Sequence, residues 1–138
     1  MLNRQDKREI INKFGNFFVT LGRDWTLSAI QIALSGIWKN EGHKKLASLF
    51  SELSEENQKF VGELLPEVVD KTMEKILSLF EQHCPSISKS NNCTIQLIYS
   101  EKGEYYDINE LSDGLVDELY TNDSWITKFS SYGNFIEL

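Results

Sequence analysis

The sequence predicts an α+β fold: one mainly helical domain spanning residues 1–138, with a small antiparallel β-hairpin around residues 93–108. Three observations predict it. Apolar residues recur at three- and four-residue steps through most of the chain, the period of a helix with one buried face. One stretch alternates instead, with Cys93, Ile95, Leu97 and Tyr99 interleaved with Thr94, Gln96, Ile98 and Ser100, as a half-buried strand does. The length of 138 residues, with 41% hydrophobic and 25% charged residues, suits one core that needs neither disulfide nor metal. No internal repeat, low-complexity tract or linker divides the chain.

Residues 5–21 carry Ile10, Ile11, Phe14, Phe17, Phe18 and Leu21 on a single helical stripe, and Gly22 is the expected stop. Asp24 or Thr26 can cap a second helix whose inner face holds Leu27, Ile30, Ala33, Leu34 and Ile37. Gly36 and Gly42 bracket a break, and Leu46, Leu49, Phe50 and Leu53 mark a short third helix. Ser54 caps a fourth, with Glu55 and Glu56 in its first turn, where carboxylates meet the positive end of the helix dipole. Pro66 either kinks that helix or opens a new one, because its ring nitrogen donates no hydrogen bond. Val68, Val69, Thr72, Met73, Ile76, Leu77, Leu79 and Phe80 then continue the helical pattern to about His83, and Pro85 ends it. Residues 86–92 read as a polar loop. The alternating strand follows, with Glu101-Lys102-Gly103-Glu104 as its turn and Tyr105–Ile108 as its return. A lone hairpin is marginal in water, so this one must pack on helices. Asn109 can cap a helix over 110–120, and Ser124 a last short one carrying Trp125, Ile126 and Phe129.

Charge and composition narrow the chemistry. The formal net charge is −7, and residues 61–138 carry the whole excess, with fourteen acids against five bases. Such a chain repels nucleic acid and anionic lipid. No apolar run approaches a membrane span or a signal sequence, which places the expected compartment in the cytoplasm, with Cys84 and Cys93 as free thiols. Only two histidines occur: His83 at a helix end, favoured there by the dipole, and His43 in a polar, solvated turn. Neither sits in an arrangement that activates a nucleophile, so no catalytic residue is assigned and the chain is read as a non-enzyme. Glu81, His83, Cys84 and Cys93 supply only half of the paired spacing that structural zinc uses, so no metal and no cofactor is expected. Glu63, Glu67, Asp70 and Glu74 recur along one helix without Glu-x-x-His pairs and read as a solvated charged face.

One segment stands out. Residues 101–123 hold eight acids against the single base Lys102, and Tyr105, Tyr106, Tyr120 and Trp125 are interleaved with or adjoin them. Tyr and Trp anchor interfaces, and the surrounding acids select a basic protein partner. The expected contact residues are Glu104, Tyr106, Asp107, Glu110, Asp113 and Asp117. The alternative is that these rings fill the core and the acids only solubilise it. In a second alternative, a small-molecule-binding or regulatory domain, a pocket between hairpin and helices is lined by Trp25, Trp38 or Trp125.

In size, acidity and α+β make-up, the chain resembles the immunity proteins of bacterial toxin–immunity pairs, those of contact-dependent inhibition among them. The strings Glu110-Leu111-Ser112-Asp113-Gly114-Leu115 and Asp123-Ser124-Trp125-Ile126 resemble ones found in small bacterial proteins. The resemblance implies stoichiometric binding to a toxin domain, often a basic nuclease, whose cleft is blocked by an acidic surface. It carries over no residue by position.

Overall fold

A computed structural model describes residues 2–83 and 95–138. Cys84, Pro85, the 86–92 loop and the first two residues of the expected strand, Cys93 and Thr94, lie outside the described residues. The architecture is a mainly helical α+β domain with one two-stranded antiparallel sheet.

Helix α1 (Arg4–Phe17) begins with a capping box, in which Asn3 accepts from the backbone of Gln5 and Asp6 while the Asp6 carboxylate accepts from the amide of Asn3. Gly22 does not end the helix. The chain passes through a π-helical segment, Phe18–Asp24, into α2 (Trp25–Leu34) without a break. Gly22 sits in the face packed on the fourth helix, where an added Cβ would lie 3.7 Å from Met73 Cε. Neither Asp24 nor Thr26 caps α2. Asp24 is helical itself and spends its carboxylate on the C-terminal tail, and the Thr26 hydroxyl donates back to Gly22 O. The stop comes at Gly36, whose φ of +77° is the left-handed conformation that glycine adopts at little cost. Ile37 lies beyond it, exposed instead of inward.

Helix α3 (Glu41–Ser51) is capped by Asn40 and contains no buried residue; it leans on α2 and leaves Leu46 and Leu49 in solvent. Helix α4 (Glu55–Gln82) starts at the Ser54 cap and runs 28 residues through Pro66. Proline leaves the Gly62 carbonyl, four residues back, without its helical donor. The amide of Ile136 fills that role at 3.0 Å, so the gap in the ladder becomes a docking point for the C-terminal tail.

Helix α4 lies antiparallel to the α1–α2 rod. Arg23 meets Asp70, Gly22 meets Met73, and tail residues Ile136 and Glu137 bond to Gly62 and Gln31 respectively. The hairpin pairs β1 (Ile98–Glu101) with β2 (Glu104–Asp107). Its two-residue loop, Lys102-Gly103, has positive φ at both positions, which matches the twist of the flanking strands. The strand is shorter than the alternation suggests: residues 95–97 fall outside it, although the Ile108 amide still donates to Leu97 O at 2.9 Å and the Ile95 amide to His83 O at 2.8 Å. Asn109 caps nothing: Asp107 accepts from the Asn109 amide and opens α5 (Ile108–Leu111). The expected 110–120 helix is interrupted at residues 112–114 and resumes as α6 (Leu115–Tyr120); Ser124 caps α7 (Trp125–Phe129) as expected. The core gathers Ile10, Ile11, Val19, Leu27, Met73, Leu77, Ile108, Leu115, Leu119, Trp125 and Ile136. Helices α5–α7 and the tail thus cover one side of the α1–α2/α4 pair.

Candidate protein-binding surface

The acidic segment comes to rest against α1, and ion pairs to α1 and to Lys128, just past the segment's C-terminal end, divide its carboxylates into two sets. Three are paired. Glu101 meets Lys13 at 2.9 Å, both oxygens of Glu118 accept from Arg8 at 2.8 and 2.6 Å, and Asp123 meets Lys128 at 2.8 Å. Hydrogen bonding to Lys13 holds the Glu101 carboxyl below the usual range, and the same bond, reinforced by Glu9, holds the Lys13 ammonium above its own. Glu104, Asp107, Glu110, Asp113 and Asp117 make no ion pair among the described residues. These five are the carboxylates expected to meet a partner.

They do not all share one place. Glu110 and Asp113 border an open hollow of about 690 Å³ against Leu2, Arg4, Lys7 and Arg8. Asp113 and Asp117 border a second hollow, about 560 Å³, with Asn12, Glu118, Asp123 and Lys128. Arg8 and Asp113 line both, so Glu110, Asp113 and Asp117 flank one ridge whose central cation is already spent on Glu118. Glu104 stands apart at the hairpin tip, and Asp107 is engaged by the Asn109 amide and by Gln96 Nε2 at 3.1 Å. Tyr106 is half-buried, stacked on Tyr99 with centroids 6.5 Å apart, whereas its neighbour Tyr105 is the ring left in solvent.

Trp125 belongs to the core. It is fully buried against Phe14 and Phe18, so it lines neither an interface nor a pocket. His43 is not in a solvated turn; it lies in the first turn of α3, half-buried with its ring 4.6 Å from that of Trp38. His83 is the C-cap of α4, as expected. Glu81 accepts from the Val116 amide, which ties α4 to α6. Among the described residues no group of three or more His, Cys, Asp and Glu converges as a metal site would require. Among them, too, no helix is long and apolar enough to cross a membrane.

The α4 carboxylates do not form one solvated face. Glu74 pairs with Lys71 at 2.7 Å, and Asp70 is buried. The Arg23 guanidinium takes Asp70 from Nε at 2.5 Å and from Nη2 at 3.2 Å, and also donates to Ser130 Oγ and to the carbonyls of Tyr132 and Gly133. Asp24 accepts from Ser130 Oγ and the Ser131 amide. This cluster was missed by reading charged residues as surface. Its signal was present: Arg23 stands in phase with Val19 and Leu27, and Asp70 with Pro66, Met73 and Leu77, each a charge on an otherwise buried stripe.

Tyr120 donates to Asp70 O at 3.0 Å beside Lys71 and Glu74, and burial, then the Glu74 and Asp70 charges, push its phenol up to about 12. The fold therefore holds a proton that the unfolded chain releases near pH 10, so stability falls as pH rises from about 10 to about 12. Spectrophotometric titration should show a late phenolate component that disappears in Tyr120→Phe. A late component that survives the substitution would assign it to another of the five tyrosines.

No protein-family model, no curated protein and no solved structure matches this chain.

Proposed function

We propose that the chain is a non-enzymatic protein-binding module, best read as an immunity protein that binds and neutralises a cognate toxin, a nuclease for example, through its acidic surface. One observation carries the reading. Arg8 and Lys13 of α1 neutralise Glu118 and Glu101, and Glu110, Asp113 and Asp117 remain without an ion pair around the two hollows. A positive cleft built to hold phosphate would be steered to that ridge, where these three carboxylates have no ion pair to break. Glu104 and Tyr105 at the hairpin give a second, smaller point of contact.

Co-expression with the product of the adjacent reading frame, followed by affinity capture, tests the partner. The expected result is a stoichiometric complex and rescue of growth from a toxic neighbour. Within that complex, Asp113→Lys with Asp117→Lys should slow association roughly 10- to 100-fold at low salt, and the wild-type rate should fall as salt rises. A salt-independent rate, or a neighbour that neither binds nor poisons, would remove this reading.

A further inference from the structure

The side of the helix pair opposite the tail is apolar and largely open among the described residues, with the hairpin's Tyr99 reaching its edge at Phe17, ring centroids 6.3 Å apart. Arg23 and Asp70 point to the covered side. Positions two residues away on a helix point roughly the other way. Leu21 and Trp25 flank Arg23 at that spacing, and Val68 flanks Asp70; Phe17 lies four residues before Leu21, and Ile76 and Leu79 continue the Val68 stripe by eight and eleven residues. The π-helical turn is wider than an α-turn, so it keeps Phe17, Leu21 and Trp25 nearly in line. Because the two helices are antiparallel, the stripes run side by side. All six side chains are 41 to 69% exposed.

We infer that this face is the docking surface for a second copy of the chain, joined across a two-fold axis. Area is the first argument. At these exposures the six side chains present on the order of 600 Å², taking roughly 150–250 Å² for a full-size Phe or Trp and somewhat less for Leu, Ile and Val. That is at or above the largest patch a soluble monomer shows, and close to the roughly 800 Å² per partner of a stable interface. Composition is the second. Interfaces between unlike proteins that come and go are no more apolar than ordinary surface, whereas homodimer interfaces are. Charge is the third. A two-fold contact sets each patch against itself. In a chain of net charge −7 the acidic ridge would repel its own copy, but Glu63, Glu67, Glu74 and Glu81 recur along a different face of α4 and leave Lys75 beside Ile76. The apolar face is where two copies can meet without stacking carboxylates. The inference does not depend on the acidic ridge having a partner.

Sedimentation velocity on the full chain, from low micromolar to several hundred micromolar, is the test. The expected species is a dimer. Trp25→Glu, which alters a side chain 69% exposed in one copy, should weaken dimerisation about 30-fold or more while leaving the helical circular dichroism unchanged. Asp113→Lys should leave the dimer intact. A wild-type chain that stays monomeric throughout would overturn the inference, as would a dimer indifferent to both Trp25→Glu and Leu79→Lys. Binding of a monomeric chain to neutral lipid vesicles through Trp25 would overturn it in favour of a lipid surface.

Discussion

Replacing Arg23 by Met is expected to cost roughly 3–5 kcal/mol, a large fraction of the stability of an ordinary domain. The figure follows from what the substitution leaves behind. Arg23 is fully buried, and its five donors are shared among Asp70, Ser130 and the carbonyls of Tyr132 and Gly133. Without the guanidinium, the buried carboxylates of Asp70 and Asp24 lose the cation they share, and the tail carbonyls lose their donors. Asp70→Asn removes one carboxylate but leaves Arg23 with Asp24 at 3.8 Å, so its cost should be smaller. Arg23→Lys should fall in between, because one ammonium cannot span four acceptors in the plane of a fork. Urea denaturation measures the order. Hydrogen exchange locates it: the Ile136 amide, bonded to Gly62 O, should lose protection in Arg23→Met while amides of α6 keep more of theirs. Equal stabilities for Arg23→Met and the wild type would mean that water already serves these groups.

Helix period, caps at Ser54 and Ser124, and the hairpin turn were legible because each depends on residues within a few positions of one another. What was not legible depends on tertiary partners. Gly22 has the composition of a stop, but a stop needs positive φ or an open end, and packing against Met73 supplies neither. Pro66 removes a bond that only the far end of the chain could replace. Residues 61–80 of α4 hold more apolar positions than one stripe can bury, and periodicity does not say which of two adjacent stripes meets the core. Met73 and Leu77 do; Val68 and Ile76 do not. For the candidate surface, nothing local distinguishes Tyr105 from Tyr106 or reveals that Glu118 takes Arg8 while Asp113, lining the same hollow, makes no ion pair.

The second large effect is expected at Gly15, where a single methyl group meets the largest side chain of the core. A Cβ built there would overlap Nε1, Cε2 and Cδ1 of Trp125. The indole cannot retreat freely, since Phe14 packs edge-on at 5.6 Å and Phe18 at 6.4 Å, and α7 is anchored by its Ser124 cap. In an open helix, glycine to alanine stabilises by about 1 kcal/mol. Here overpacking, typically 1–3 kcal/mol, should outweigh that gain, and Gly15→Ala should be destabilising. Trp125→Ala should cost roughly 3–5 kcal/mol by leaving a cavity where the ring was. The double-mutant cycle separates the causes. In a Trp125→Phe background the smaller ring makes room, so Gly15→Ala should become neutral or stabilising, with a coupling of about 1–3 kcal/mol between the two sites. Thermal or urea unfolding of the four proteins reads this directly. If Gly15→Ala stabilises the wild-type chain as it would an isolated helix, the indole does not lie against α1 at this point, and the packing of α7 onto the rod must be different.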